Sequence, residues 1–410
     1  MRLLHTSDWH LGHRLHGRLR HEEQGRFLDW LVELIEERAV DGLLAAGDMF
    51  DTTAPGSRTQ ALYYRFLHRL AASPCRHVVI IGGNHDSPAL LEAPRELLRH
   101  LNIHVIGMAD NDPGKEILLL KDPLHVPELL VCAVPYLRDR DIRHAVAGET
   151  LEDKGRRQRE AVRDHYRDIC RIAEERRRKI NPDLPLVVMG HLFVAGGRTA
   201  EGDGVRDLAI GGIDRIEAAC FPESIDYLAL GHLHLGQMVA GDPCRRYCGA
   251  PLPMSFAEAG SVKQVLLLNM EGRRCTVEPV DVPIFQTLAS LRGDLPGLLR
   301  EVEQLRAANT PTFIELIYEG DPVVPDLREQ LLAATAGSEL TVLRIRNNRI
   351  FDYALRQTEE IESLDDLGVH EVFERCLAAN RIEESQRQSL RAAFTEVVDA
   401  LYREDTEGQP

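Results

Sequence analysis

Apolar and polar positions come in blocks along this chain. Short apolar runs end again and again in glycine and then in polar side chains: RLLHTSDWH at 2–10, GLLAAGDMFD at 42–51, HVVIIGGNHD at 77–86, LPLVVMGHLF at 184–193 and IDYLALGHLH at 225–234. Runs this continuous, without strict polar alternation, predict strands buried on both faces. Helical spacing of apolar residues over 23–39 and 58–72 lies between them. Together they predict a layered α/β domain, in which functional side chains gather at the carboxyl ends of strands.

Residues 151–180 read as one charged helix in which arginines outnumber acids. A solvated face laced with i,i+4 pairs is the simpler reading, and a phosphate-contacting edge the sharper one. Residues 264–282 read as a hairpin turning at Glu271-Gly272 that closes a first domain over 1–282. Helix, strand, helix and strand follow across 295–348, which predicts a small α/β capping domain over 283–350. A polar, acidic connection and two helical patterns occupy 351–410. One pattern carries Val372, Phe373, Cys376 and Leu377, the other Leu390, Phe394, Val397, Val398 and Leu401. Each set shares a helix face, suited either to packing between the two helices or to docking a partner.

Composition narrows the class. The chain has 410 residues, eight cysteines and a formal net charge of −16. Scattered cysteines in a long chain suit a reduced, cytoplasmic protein better than a disulfide framework. The lone Cys244/Cys248 pair has no second pair to complete a zinc site. No apolar run is long enough to span a membrane, and the N-terminus lacks a signal-peptide core. The acidic balance argues against a stand-alone nucleic-acid binder, because any such substrate would need local basic patches, bound metal or a partner to hold it.

The chemistry sits at the five strand ends. They deliver Asp8 and His10, Asp48, Asn84 and His85, His191, and then His232 and His234. Residues two apart on a strand end point the same way, so Asp8/His10 and His232/His234 can each serve one region. Glycine before the polar residues lets the backbone turn sharply and approach an ion. Asp8, His10, Asp48, Asn84, His191, His232 and His234 are too many ligands for one tetrahedral ion, and they include no thiolate. They suit two ions sharing a carboxylate, with Asp48 the residue most able to bridge. Manganese, iron and zinc are all compatible with this donor set.

The ordered set DWH, GDMFD, GNHD, GH and GHLH resembles the calcineurin-like metallophosphoesterases. RDLAIGGIDRI (206–216), RYCGAPLPMSFAEAG (246–260) and the stretch from Leu367 to Phe394 resemble one branch of that family, the nuclease subunits that work with an SMC-like ATPase. The resemblance implies an α/β/β/α sandwich with a smaller cap and C-terminal helices. It implies two divalent ions, expected to be manganese. Asp8, His10 and His234 would hold one ion, Asn84, His191 and His232 the other, and Asp48 would sit between them. His85 would stand over the scissile phosphate without ligating. Asp51 would orient His85, unless it merely caps the turn that follows. The implied activity is cleavage of DNA phosphodiesters, as double-strand exonuclease and single-strand endonuclease at hairpins and ends, in repair, recombination and replication. The implied partners are DNA and the ATPase, with a homodimer of this chain inside a heterotetramer. No Walker A pattern occurs here, so ATP dependence must come from outside the chain. The competing readings are a small-molecule phosphodiesterase on the same scaffold and a non-enzymatic scaffold for an ATPase.

Overall fold

The computed structural model describes residues 1–142, 150–198, 216–320, 324 and 326–347, together with 373, 377, 390, 391 and 394. The chain divides into two compact units: Met1–Ala289 with Pro311–Phe313, and Ser290–Thr310 with Ile314–Pro410.

The first unit runs β1 (Arg2–Thr6), α1 (His21–Glu37), β2 (Gly42–Ala46), α2 (Ser57–Ala71), β3 (His77–Ile81), β4 (Ile103–Ile106), β5 (Ile117–Lys121), β6 (Pro127–Ala133), α3 (Leu151–Ile180), β7 (Leu186–His191), β8 (Tyr227–Gly231), β9 (Gln237–Val239), β10 (Asp242–Tyr247), β11 (Gln264–Glu271) and β12 (Arg274–Asp281). These strands form two six-stranded sheets, β12-β11-β1-β2-β3-β4 and β9-β10-β8-β7-β6-β5. Strands β1 to β4 pair in parallel, as do β6, β7, β8 and β10. Antiparallel strands close the edges.

The pleat explains the layering. Leu43 and Ala45 of β2 face a cluster shared with Phe27 and Leu31 of α1 and Phe66 of α2. Leu44 and Ala46 face the opposite way, into a cluster with Val187 and Met189 of β7 and Ala229 of β8. In turn Val188 and Leu228 meet Tyr166 and Ile169 of α3. One core therefore lies between the sheets and one lies under each helical layer, which is the α/β/β/α sandwich expected above. Strands β2, β3, β7 and β8 are buried at every position, the physical reason their sequences read as unbroken apolar runs.

Helix α3 spans the range expected from its pattern. Its outer face carries the Arg171–Glu175 and Arg178–Glu174 pairs. Its inner stripe of Val162, Tyr166, Ile169 and Ala173 is buried. Arg177 is buried too, held by the carboxylates of Asp226, at 3.0 Å, and Glu174. Strands β4, β5 and β6 had no signal among the strand-end motifs, because none of them ends in a glycine-polar cluster.

The second unit contains α4 (Leu295–Ala308) and α5 (Leu327–Thr335) and most of a three-stranded sheet of β13 (Thr287–Gly293), β14 (Thr312–Tyr318) and β15 (Leu340–Asn347). Asp294 caps α4 by accepting the Gly297 N–H. Leu298, Val302, Ile314, Leu316 and Leu331 are buried. Strand β13 is an addition to the expected helix-strand-helix-strand run. Of the C-terminal apolar positions, Phe373, Leu377, Leu390 and Phe394 are described. The Phe373 and Phe394 rings stack at 3.8 Å, so these two contact one another. Val372, Cys376, Val397, Val398 and Leu401, the connection at 351–366 and positions 206–215 lie outside the described residues.

His5 of β1 is buried between the sheets, with Nδ1 2.9 Å from the Tyr227 hydroxyl. Burial pushes its pKa down to about 3; a bond with the Leu230 backbone opposes that shift and the Arg246 charge adds to it. A histidine held neutral in the fold but able to protonate near pH 6.5 once unfolded draws the equilibrium toward unfolding as pH falls below that value. Its contribution is whole above about pH 6.5 and is lost progressively toward pH 3. Replacing His5 with Asn should therefore flatten the acid side of the stability profile by about 3 kcal/mol at about pH 4.5. Urea midpoints across that range check it; equal slopes in both proteins would contradict it.

Candidate metal centre

The five strand ends meet at the carboxyl edges of both sheets. Asp8 and His10 follow β1, Asp48 follows β2, Asn84 and His85 follow β3, His191 ends β7, and His232 and His234 follow β8. Asp8, His10, Asp48, His191 and His234 are each buried. Asp8, His10, Asp48 and His232 hold left-handed backbone angles, with φ between 43° and 97°. Such angles cost about 1–3 kcal/mol each for a non-glycine residue and persist only where surroundings enforce them. Here the enforcement is a lattice of main-chain bonds. The Asp8 N–H donates to the Gly47 carbonyl and His10 N–H to the Asp48 carbonyl. The Asp8 carboxylate accepts the His232 N–H at 2.9 Å.

The donor atoms fall into two groups that share a border. Asp8, His10 and His234 offer ligand atoms to one point, and Asp48, His191 and His232 to a second. Asn84 Oδ1 lies 3.0 Å from both His191 Nε2 and His232 Nδ1, which adds it to the second group. Asp48 Oδ2 stands between the two, 3.6 Å from His10 Nε2 and 3.2 Å from His191 Nε2.

The lone pairs in this cluster have few donors to meet. His191 Nδ1 donates to the Ala46 carbonyl at 2.9 Å, which turns Nε2 toward two oxygens, Asn84 Oδ1 and Asp48 Oδ2. His10 Nε2 and His234 Nε2 face each other at 3.2 Å. Buried His234 Nδ1 has no hydrogen-bond partner. Protonation cannot relieve the whole set. Burial opposes a charge on His191, but Asp48, Asp8 and the Ala46 carbonyl push its pKa up to about 9. Burial and the His191 charge hold His232 down at about 3. Burial and the His10 charge hold His234 well below its ordinary value. Burial alone would raise Asp48, yet His191 and His10 keep it well below the usual carboxylate range. A cluster of ionised oxygen and neutral imidazole nitrogen, all facing inward, fits divalent cations of the harder and borderline kinds.

His85 and Asp51 flank this centre. His85 Nδ1 donates to the Asp51 main-chain carbonyl at 2.8 Å, leaving Nε2 for another partner. The Asp51 carboxylate turns to His10 instead, 3.3 Å from Nδ1. The expected carboxylate–His85 contact is thus a carbonyl–His85 contact, and the carboxylate steadies His10.

Two supports carried no separate signal in the sequence. Asp86, fully buried, accepts N–H bonds from Met49, Phe50 and Gly83, tying the Asp48 turn to the Asn84 turn. It lies inside the GNHD motif, but nothing in one dimension says its carboxylate points backwards. Ser7 donates to the Asp8 carboxylate and lies 3.0 Å from Cys248 Sγ, so that thiol backs the site from outside the donor set.

A two-layered β core with paired acid and histidine clusters at its carboxyl edge defines a metallophosphoesterase. A family model for calcineurin-like phosphoesterases matches residues 1–236, and one for the type 5 capsule protein repressor C-terminal domain matches residues 284–381. The chain belongs to the calcineurin-like phosphoesterase family, whose members use divalent metals. Within it, the chain is 36% identical over 408 residues to SbcD, the smaller partner in the SbcCD nuclease of Escherichia coli strain K12, covering 98% of each. It is 34% identical over 347 residues to the SbcD of Rhodobacter capsulatus, covering 82% of this chain and 84% of that one. The Bacillus subtilis SbcD is 34% identical over 283 residues, covering 68% and 69%. No helix among the described residues is long and apolar enough to cross a membrane.

Gly83 shows how little room the centre leaves. A Cβ there would lie 2.1 Å from Asp48 Oδ1 and 2.3 Å from the Asp48 nitrogen. Gly83→Ala should displace Asp48 and strip bound metal, whereas Gly56→Ala, whose Cβ would meet open space, should not. Metal content of the purified proteins, measured by elemental analysis, checks the contrast.

Proposed function

We propose that this chain is the metal-dependent nuclease subunit of a complex with an SMC-like ATPase of the SbcC type, cleaving DNA phosphodiesters. The observation that carries the reading is the position of Asp48 Oδ2, between one group of Asp8, His10 and His234 and another of His191, His232 and Asn84. Those seven residues are the proposed ligands, with Asp48 shared and manganese the expected ion. When bound, two such cations supply Lewis-acid charge against the anionic phosphodiester and bring the pKa of a water toward neutrality.

The chain's own residues do the rest. The ligand carboxylates and imidazoles fix where the reacting phosphorus can sit. His85 presents Nε2 toward that position, since Nδ1 is taken by the Asp51 carbonyl, and it stabilises charge or gives a proton to the departing sugar oxygen. Asp51 holds His85 by its main chain and His10 by its carboxylate. The domain over 283–350 is proposed as the cap that helps select DNA, and the helices within 351–410 as the part that docks on the coiled-coil root of the ATPase. That partner supplies ATP-driven control and the grip that a chain of net charge −16 lacks. The working form is proposed as a homodimer within a heterotetramer in the cytoplasm.

Manganese-supplemented cleavage of single-stranded DNA, set beside a nitrophenyl phosphodiester, tests the substrate class. Efficient hydrolysis of the small ester with no cleavage of DNA would make this a small-molecule phosphodiesterase. Chelation should abolish cleavage and manganese should restore it. His85→Ala should keep its metals and lose turnover by about 10²–10⁴-fold, the range for a missing general acid. Asp48→Ala should lose metal as well. If His85→Ala emptied the site as fully, its role would be that of a ligand.

A further inference from the structure

Helix α3 changes character along its inner stripe. Below Tyr166 the stripe is apolar: Ile169, Cys170 and Ala173 are buried against the sheet. Before Tyr166, residues at the same helical phase include Arg159 and Arg163, with Arg156 beside them. A side chain cannot stay apolar-facing where there is no sheet to face, so the level of Tyr166 matters. A Cβ on Gly190 would lie 2.3 Å from the Tyr166 hydroxyl. Gly190 immediately precedes His191, so Tyr166 sits level with the metal centre's edge of β7.

The helix returns from the carboxyl end of β6 to the amino end of β7, so positions before Tyr166 lie beyond the carboxyl edge of the sheet. At 1.5 Å of rise per residue, Arg163, Arg159 and Arg156 stand about 5, 10 and 15 Å past that level. They line a groove of about 470 Å³ whose other wall is Ile216, Ala219 and Cys220. Glu160 and Glu217 also border it. Arg156 is paired with Asp153, and Arg163 lies 3.6 Å from the Asp164 carboxylate. Both pairs are exposed and worth little, so phosphate oxygens can displace them at small cost. Arg159 is half-buried. Guanidinium groups make charge-assisted, often bidentate bonds with phosphate.

We propose that this groove is a backbone track for DNA, in which Arg156, Arg159 and Arg163 each hold a phosphate of the strand lying beside the metal centre. It rests on the nuclease reading for the choice of polyanion. It places a basic contact on the catalytic unit itself, in a chain whose overall field repels DNA. Contacts of this kind position the strand without reading its sequence.

The test is the salt dependence of DNA binding by the full chain, using a labelled phosphorothioate duplex that resists cleavage, between about 50 and 200 mM salt. Three variants are compared with wild type: Arg156→Gln/Arg159→Gln/Arg163→Gln, the same three positions changed to Lys, and Arg167→Gln/Arg171→Gln/Arg178→Gln lower on the helix. The last matches the first in net charge. Each lost phosphate contact lowers the slope of log K against log salt by about 0.9, so the first variant should lose about 2–3 and bind at least about 10-fold more weakly. The lysine variant should keep the slope, and the lower triple should stay near wild type. An unchanged slope in the first variant, or an equal loss in the lower triple, overturns the track. Melting temperatures exclude misfolding as the cause. A slope that falls as expected in a chain that cleaves no DNA would keep the track and sink the nuclease reading. Cleavage with equal slopes would do the reverse.

Discussion

Electron pairs that have no hydrogen to share are the constraint on which this molecule is built. At the carboxyl edges of two sheets, the oxygens of Asp8, Asp48 and Asn84 and the imidazole nitrogens of His10, His191, His232 and His234 face inward at separations near 3 Å. Buried in this way, they repel one another and cannot all be protonated. A cation satisfies every one of them at once. Everything else in the first unit serves to hold these groups together: five strand ends from both sheets, a core between the sheets that fixes their spacing, and a helical layer outside each sheet.

The turns show how this arrangement is enforced. Four of the seven donors sit at positive φ, which isolated turns would not sustain. Main-chain bonds from one turn to another do so instead, and the buried Asp86 carboxylate joins the Asp48 and Asn84 turns through three N–H groups. Close backbone approach has the same origin. A methyl on Gly231 would fall 1.9 Å from the Ala46 carbonyl, so the two sheets touch at this edge through backbone alone. The strain and the missing side chains are the price of bringing charged groups from distant strands to one place.

Charge is organised differently at two scales. The whole chain carries −16, which keeps anionic substrates away in the absence of other help. Locally, the donor cluster concentrates negative and neutral ligands that become a positive centre when cations bind, and the first turns of α3 add exposed guanidinium groups on the same edge. An acidic chain and a phosphodiester substrate are compatible because attraction is confined to the edge where chemistry takes place.

By itself the sequence determined the five strands that carry ligands, because strands buried on both faces must be continuously apolar and their ends must turn on glycine. It determined the ligand types as well, since only a few residues bind hard or borderline cations. The charged span of α3 and the β11–β12 hairpin were legible for similar local reasons. Tertiary structure alone decided which strands share a sheet, because an apolar run records burial and not its neighbour. It decided that Asp51 reaches His85 with its carbonyl and His10 with its carboxylate, and that Asp86 braces two turns, because side-chain direction at a strained turn depends on bonds to residues far along the chain. It also decided where α3 outruns the sheet. A helix pattern gives phase around the axis but not the level at which the opposing layer ends, and that level separates the apolar stripe from the arginines.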